Sequence, residues 1–337
     1  MKIIHTCLHH IDHAGDLVSK IELSNQGQEL GDYIIKLLDT IMKSRTRRRF
    51  DFKRNTTEVR TAITNIINKD YDVGTEINAK RLLETEKRAQ EGIKQLGVEI
   101  QKGSLFQALF SSNGNKSFII SKADHEEFID EDDFLLHRGL PWKRRVFKAM
   151  VAFFDVDDLI DKIFVFDTNP TMSRYWWDDF LELQKKHTDT HNTETSLETL
   201  DVKVFNPIKK KHPADHTILR NSTLGYFRNK SEFDLDEFIN EVFSNYYPVD
   251  DDLSIDNLKS KVLNLPIKYG FDTRFSIKKD KIKKRKVNKI ELTDTIDLIL
   301  RDHISDLGGI IQSIADEEGN KYIMIRTETG YERFLRK

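Results

Sequence analysis

Leu105-Phe106-Gln107-Ala108-Leu109-Phe110 and Ser117-Phe118-Ile119-Ile120-Ser121 are two short apolar runs on either side of Asn113-Gly114-Asn115. An Asn-Gly pair between two such runs is a strong hairpin signal, because both residues tolerate the positive φ of a tight turn. We therefore predict a β-hairpin here, as part of an antiparallel sheet in the first half of the chain.

Segments on either side of this hairpin predict further elements. Residues 1–24 alternate in polarity as two strands, and apolar residues at helical spacing predict helices over Glu29–Met42 and Glu76–Leu96. Two more strands are predicted over Arg145–Phe153 and Lys162–Asp167. The first half therefore mixes helices with an antiparallel sheet.

The second half begins with helical patterns and ends with strands. Trp176 opens one predicted helix, and Asp234, with Glu237 three residues later, is typical of the start of another. Strands are predicted over Lys289–Leu292, Ile296–Leu300, Ile310–Ile314 and Tyr322–Arg326. The fold class is therefore α+β, with a mixed α/β domain over 1–170, a helical domain over 171–268 and a small basic β-rich domain over 269–337.

Composition excludes several classes of protein. The 337 residues have a formal net charge of −2, with 33% charged and 38% hydrophobic residues, and 10% aromatic residues are too many for a disordered chain. No apolar run approaches the length of a membrane-spanning helix. The single cysteine and the lack of an apolar signal core at the N-terminus predict a cytoplasmic protein with no membrane partner.

The near-neutral net charge conceals strong segregation of charge. Residues 43–60 contain eight basic and two acidic residues, and residues 274–289 contain nine basic residues and one acidic residue. Acidic blocks balance them, with seven carboxylates in 124–133 and nine in 232–258. Basic runs of this density are either solvated faces or sites that neutralise phosphates.

We assign the candidate nucleic-acid-binding residues to three basic clusters. These residues are Arg45, Arg47, Arg48, Arg49, Lys53, Arg54, Lys143, Arg144, Arg145, Lys279, Lys281, Lys283, Lys284, Arg285 and Lys286. They are expected to contact phosphates and to position a duplex without reading its bases.

Candidate chemistry is sparse. The N-terminal histidines match no common zinc spacing, so we expect no metal site and no cofactor. Asp167, Asp201 and Lys203 supply the residue types of a metal-dependent nuclease in a loose order, and they form the alternative catalytic set. Phosphate-loop, dinucleotide-binding, nucleophile-elbow and Cys-x-x-Cys motifs are all missing from the sequence.

Four segments carry a family resemblance, namely Ile3–Asp12, Phe106–Phe118, Gly225–Phe238 and Asp316–Tyr331. With them the chain resembles bacterial nucleoid-associated proteins of the NdpA/YejK type over most of its length. The resemblance implies a cytoplasmic protein of the nucleoid that binds DNA without strong sequence preference, and it supplies no catalytic motif.

The dense basic run Arg274–Lys289 and the long segment Asp189–His212 depart from shorter members of that family. The role therefore stays open between chromosome housekeeping and anti-phage defence. We expect a non-enzymatic protein that binds double-stranded DNA, with RNA, a homo-oligomer and a partner protein left open. The alternative is a metal-dependent nuclease or a DNA-sensing component of an anti-phage system.

Overall fold

The computed structural model describes residues 2–21, 32, 35–37, 39–41, 47–97, 100–112, 114–129, 131–139, 147–169, 172–282 and 287–335. The chain divides into two units, Met1–His187 and Thr188–Lys337. The predicted α+β class is confirmed, because an antiparallel sheet and separate helices coexist in this architecture.

An eight-stranded antiparallel sheet forms the centre of the first unit, in the order β10-β3-β9-β8-β5-β4-β1-β2. A separate two-stranded ribbon is made by β6 and β7. The strands are β1 (Lys2–Asp12), β2 (Leu17–Ile21), β3 (Arg48–Phe52), β4 (Gly103–Ser112), β5 (Asn115–Asp124), β6 (Glu126–Ile129), β7 (Leu136–Gly139), β8 (Phe147–Phe154), β9 (Ile160–Asp167) and β10 (Leu183–Lys185).

The predicted hairpin is confirmed as β4 and β5, whose pairing closes at Ser112 and Asn115. Gly114 has a φ of 85°, which is the left-handed conformation that the turn requires. Both strands are buried almost throughout because apolar side chains cover both faces of the sheet here. Leu105 packs into the core on one face, and Phe106 packs into the core on the other.

Two helices, α1 (Glu58–Ile67) and α2 (Tyr71–Ile93), cover one face of this sheet. Gly74 lets them approach closely, since a Cβ atom at this position would lie 2.5 Å from the carbonyl oxygen of Ala62. A 3₁₀ turn extends α2 to a left-handed Gly97, where the helix ends. The predicted helix over Glu76–Leu96 is therefore confirmed and begins five residues earlier than expected, at Tyr71.

The second unit is helical at its start, and its core is rich in phenylalanine. The α-helices are α3 (Asp189–Thr199), α4 (Pro213–Asn229), α5 (Leu235–Ile239), α6 (Ile255–Tyr269) and α7 (Leu307–Ile310), and π-helical turns follow α3 and α5 at Leu200–Phe205 and Asn240–Ser244. As predicted, Asp234 caps α5, because its carboxylate accepts hydrogen bonds from the N–H groups of Asp236 and Glu237.

Three antiparallel pairs complete the second unit. They are β11 (Glu232–Asp234) with β12 (Arg274–Ser276), β13 (Asn288–Thr293) with β14 (Ile296–Leu300), and β15 (Ile311–Ala315) with β16 (Lys321–Ile325). The strands that the sequence predicts near the C-terminus are confirmed as the last two pairs.

Two short strands explain why the two units differ from the predicted domain boundaries near 170 and 268. β10 pairs with β3, so the chain belongs to the first unit as far as His187. β12 pairs with β11, and Phe275 shares the phenylalanine-rich core of the helices. Strands of three residues carry no periodic signal in a sequence, so neither contact could be predicted.

Candidate functional site

The first basic cluster contributes mainly to the structure of the first unit. Arg48 is buried in β3, and its guanidinium donates a hydrogen bond of 3.1 Å to the carbonyl oxygen of His187. The guanidinium of Arg47 lies 4.3 Å from the ring centroid of Phe164, and burial lowers the pKa of this arginine. Arg49 is half-buried. These side chains are largely occupied by protein contacts.

Lys53 and Arg54, which follow β3, differ in their surroundings. Lys53 forms an ion pair with Asp178 and donates a hydrogen bond of 3.0 Å to the carbonyl oxygen of Asp178. Burial alone would raise the pKa of Asp178. The hydrogen bonds and positive charges of Lys53 and Arg174 together have the larger effect, so the pKa of Asp178 is lowered. Arg54 is exposed to solvent, whereas Arg45 lies outside the described residues.

The small cluster Lys143, Arg144 and Arg145 also lies outside the described residues. The neighbouring Lys148 is buried in β8, with its Nζ atom 3.8 Å from a carboxylate oxygen of Asp124. Lys148 therefore belongs to the interior of the first unit.

The second basic segment, Arg274–Lys289, is anchored in the second unit by its apolar residues. Phe275, Ile277 and Ile282 are buried in the phenylalanine-rich core. Lys278, Lys279 and Asp280, which lie between Ile277 and Ile282, are exposed to solvent. A 3₁₀ turn over Lys279–Lys281 lies in the middle of this stretch.

The described cations of this segment differ in their surroundings. Lys278 and Lys279 are exposed, and Lys281 lies 3.2 Å from Asp280, which is the only acidic residue of the segment. Lys289, at the far end, pairs with Asp297 at 2.8 Å. The predicted residues Lys283, Lys284, Arg285 and Lys286 lie outside the described residues.

The three candidate nuclease residues are not gathered within either unit. Asp167, in the first unit, accepts hydrogen bonds from the N–H groups of Asn169 at 2.9 Å and Ser173 at 2.7 Å. Asp201, in the second unit, pairs with Arg220 at 2.9 Å. The Nζ atom of Lys203 lies 5.8 Å from the ring centroid of Tyr269. Both carboxylates therefore have structural partners.

The N-terminal histidines also have protein partners. His5 stacks on Tyr71, with ring centroids 4.3 Å apart, and Nδ1 of His10 lies 2.9 Å from the hydroxyl oxygen of Ser104. Within the ranges that the structure describes, no group of three or more His, Cys, Asp or Glu side chains is arranged to hold a metal ion.

One charged cluster of the first unit was not predicted. Lys122 is fully buried, with its Nζ atom 2.7 Å from Glu86 and 3.0 Å from Asp124, and it donates a hydrogen bond to the carbonyl oxygen of Gln101. Burial raises the pKa of Glu86. The only signal in the sequence is a lysine at an inward position of an apolar strand, which does not identify its partners.

No protein-family model matches the chain, and comparison with curated proteins gives no match. Among the described residues, no helix is both long enough and apolar enough to cross a bilayer.

Proposed function

We propose that this protein binds double-stranded DNA through phosphate contacts made by the basic segment Arg274–Lys289, without strong sequence specificity. The observation that supports it is the arrangement of this segment: Phe275, Ile277 and Ile282 are buried, whereas Lys278 and Lys279 are exposed. The core thus anchors a segment that carries two exposed lysines, and four further basic residues follow at 283–286 in the sequence.

Exposed lysines suit phosphates better than base edges. An ammonium group on a flexible stem acts as a point charge, and its contacts with phosphate release condensed counterions from the duplex. Such contacts supply affinity and carry little sequence information. They also act on RNA, so RNA remains the competing ligand within this proposal.

The first unit contributes less in this proposal than the sequence predicts. Arg48 and Lys53 are held by contacts inside the unit, whereas Arg54 is exposed. We assign Arg54 a supporting phosphate contact. Location in the cytoplasm and at the nucleoid, and a role either in chromosome housekeeping or in sensing phage DNA, follow as part of the proposal from the resemblance to nucleoid-associated proteins.

The nuclease alternative stays a prediction without a supporting contact, because Asp167 and Asp201 already accept hydrogen bonds from protein groups.

Fluorescence anisotropy with a labelled duplex at increasing KCl concentration tests the proposed DNA binding. We expect the logarithm of the binding constant to fall linearly with the logarithm of salt concentration, with a slope of about −0.9 per phosphate neutralised. Affinity that is insensitive to salt would contradict the proposal.

Two competitors and a divalent metal complete the experiment. An unlabelled duplex of unrelated sequence should compete as well as the identical duplex, and a duplex RNA of the same length measures the preference for DNA. Plasmid incubated with excess protein and Mg²⁺ or Mn²⁺ should stay intact. Metal-dependent cleavage would favour the nuclease over the proposed binding protein.

A further inference from the structure

The ribbon of β6 and β7 carries exposed apolar side chains at its tip. It forms a sheet of its own, in which Ile129 lies opposite Leu136. The side chains of Phe128, Ile129, Phe134, Leu135 and Leu136 are each between 48% and 78% exposed. Exposed apolar side chains grouped in this way mark sites of protein–protein interaction.

The same ribbon is strongly acidic. Residues 126–139 contain six acidic residues and one arginine, and the acidic residues 131–133 at the turn are exposed. Asp133 shapes this turn, because its carboxylate accepts a hydrogen bond of 2.8 Å from the N–H group of Leu135 and lies 2.8 Å from Nε2 of His137. Carboxylates beside apolar side chains repel nucleic acid and favour a basic protein surface.

The chain itself supplies a basic surface of this kind. The segment Arg274–Lys289 contains nine basic residues and one acidic residue, and Lys278 and Lys279 within it are exposed. Lysine suits both parts of the ribbon, since its ammonium group pairs with carboxylates and its methylene stem covers apolar surface. The ammonium group is also attracted to the face of a phenylalanine ring. Ribbon and segment are therefore complementary in charge and in surface chemistry.

We propose that the acidic ribbon, residues 126–139, of one copy covers the basic segment Arg274–Lys289 of a second copy when no duplex is bound. The inference rests on the proposed DNA binding, because ribbon and duplex then compete for the same lysines. Opposite charges steer the two surfaces together and disfavour contacts between like surfaces. The segregation of charge in a chain of net charge −2 thus serves self-association as well as DNA binding.

Sedimentation velocity of the full chain, freed of nucleic acid, tests the proposal. We expect self-association at micromolar concentration in low salt. We expect monomers in about 1 M KCl, where the Debye length is about 3 Å and the attraction between exposed charges is screened. A duplex just long enough for one chain should also dissociate the assembly, leaving single chains bound to duplex.

Charge reversal in the ribbon tests which surface makes the contact. Glu131→Lys/Asp132→Lys leaves Asp133 in place and should weaken self-association about tenfold or more, because like charges then face each other. Both substituted residues are exposed, so circular dichroism should be unchanged. The matched control, Glu317→Lys/Glu318→Lys, makes the same change in net charge at the exposed turn between β15 and β16 and should associate as the wild type does.

Charge reversal in the basic segment tests the other side of the contact. Lys278→Glu/Lys279→Glu should weaken self-association to a similar degree, since it places carboxylates opposite the acidic ribbon. Lys209→Glu/Lys210→Glu, which reverses two exposed lysines of the same unit, should leave self-association unchanged.

Duplex binding, measured on the wild type and on the ribbon variant, separates this inference from the proposed function. A wild type that binds duplex but stays monomeric, an assembly that excess duplex does not dissociate, or an unaffected ribbon variant would each overturn the ribbon contact alone. Self-association through the ribbon, with no duplex binding by either protein, would instead refute the proposed DNA binding and with it the competition.

Discussion

The Nζ atom of Lys122 lies 2.7 Å from a carboxylate oxygen of Glu86, and both side chains are fully buried between β5 and α2. Asp124 lies 3.0 Å from the same ammonium group. Removing charges from water is costly, and here the cost is offset only while the partners remain together. The cluster therefore links the sheet of the first unit to its longest helix.

Lys122→Met should destabilise the first unit by about 3–5 kcal/mol, because it leaves the buried carboxyl of Glu86 without a cation. The double variant Lys122→Met/Glu86→Leu should recover part of this loss, since it removes both buried charges. Urea unfolding followed by tryptophan fluorescence measures the effect, because all three tryptophans lie in residues 142–177.

The exposed ion pair of Lys20 with Asp72 offers a control. Lys20→Met should change the stability by less than about 1 kcal/mol. If Lys122→Met were as mild as this control, the buried cluster would not link helix and sheet.

Substitutions of Arg48 and Arg54 should have different effects, one on folding stability and the other on duplex binding. Arg48→Ala should lower the urea midpoint, because it removes a buried guanidinium that bonds to His187. Arg54→Ala should leave the midpoint unchanged and weaken duplex binding by about 1 kcal/mol or less, as expected for one exposed phosphate contact. The reverse pattern would show that the first basic cluster binds through Arg48.

The stability of the first unit should fall on acidification because of His9. Burial lowers the pKa of His9 from 6.5 to about 4; Lys20 also lowers it, and Glu76 and Asp72 partly oppose the shift. His9 therefore binds a proton below about pH 6.5 in the unfolded chain, but only near pH 4 in the folded chain. Protonation of His9 between these two pH values favours the unfolded chain. The full effect is roughly 3 kcal/mol, lost progressively between these two pH values.

Urea midpoints between pH 7 and pH 4.5 measure this dependence. His9→Gln should flatten the dependence of the urea midpoint on pH. An unchanged slope in His9→Gln would assign the acid sensitivity to other groups.

Asp201 and Lys203 should behave differently from a catalytic pair. Asp201→Asn should destabilise the second unit by about 1–3 kcal/mol, because Arg220 loses a charged hydrogen-bond partner. Lys203→Ala should change stability by less than about 0.5 kcal/mol, since this side chain is exposed. Hydrogen exchange over α3 and α4 checks both. Metal-dependent plasmid cleavage that Lys203→Ala abolishes would instead support the nuclease.

Local signals in the sequence predicted much of the fold. The Asn-Gly turn between β4 and β5, the cap at Asp234 and the strands β13 to β16 each depend on residues close together in the chain. Short-range propensity and turn chemistry are sufficient for such elements.

Long-range contacts explain what could not be predicted. The basic run Arg47–Arg49 leads into β3, where Arg48 and Phe50 face the interior, and this strand is recognised only through its pairing with β9 and β10. The Glu86 partner of Lys122 comes from a different element. The basic segment Arg274–Lys289 was predicted as a charge cluster. Only the structure shows that Phe275, Ile277 and Ile282 within it are buried.

Counting the phosphates that this segment neutralises tests the central claim most directly. The test uses a triple variant, Lys283→Gln/Lys284→Gln/Lys286→Gln. The slope of the logarithm of the binding constant against the logarithm of salt concentration should become less steep by about 0.9 for each of the three lysines, because each lysine releases counterions on binding. The matched control is Lys209→Gln/Lys210→Gln/Lys211→Gln, which removes three exposed lysines of the same unit. We predict a smaller slope in the first variant and a wild-type slope in the control. Equal slopes in both variants and the wild type would contradict the assignment of DNA binding to the Arg274–Lys289 segment.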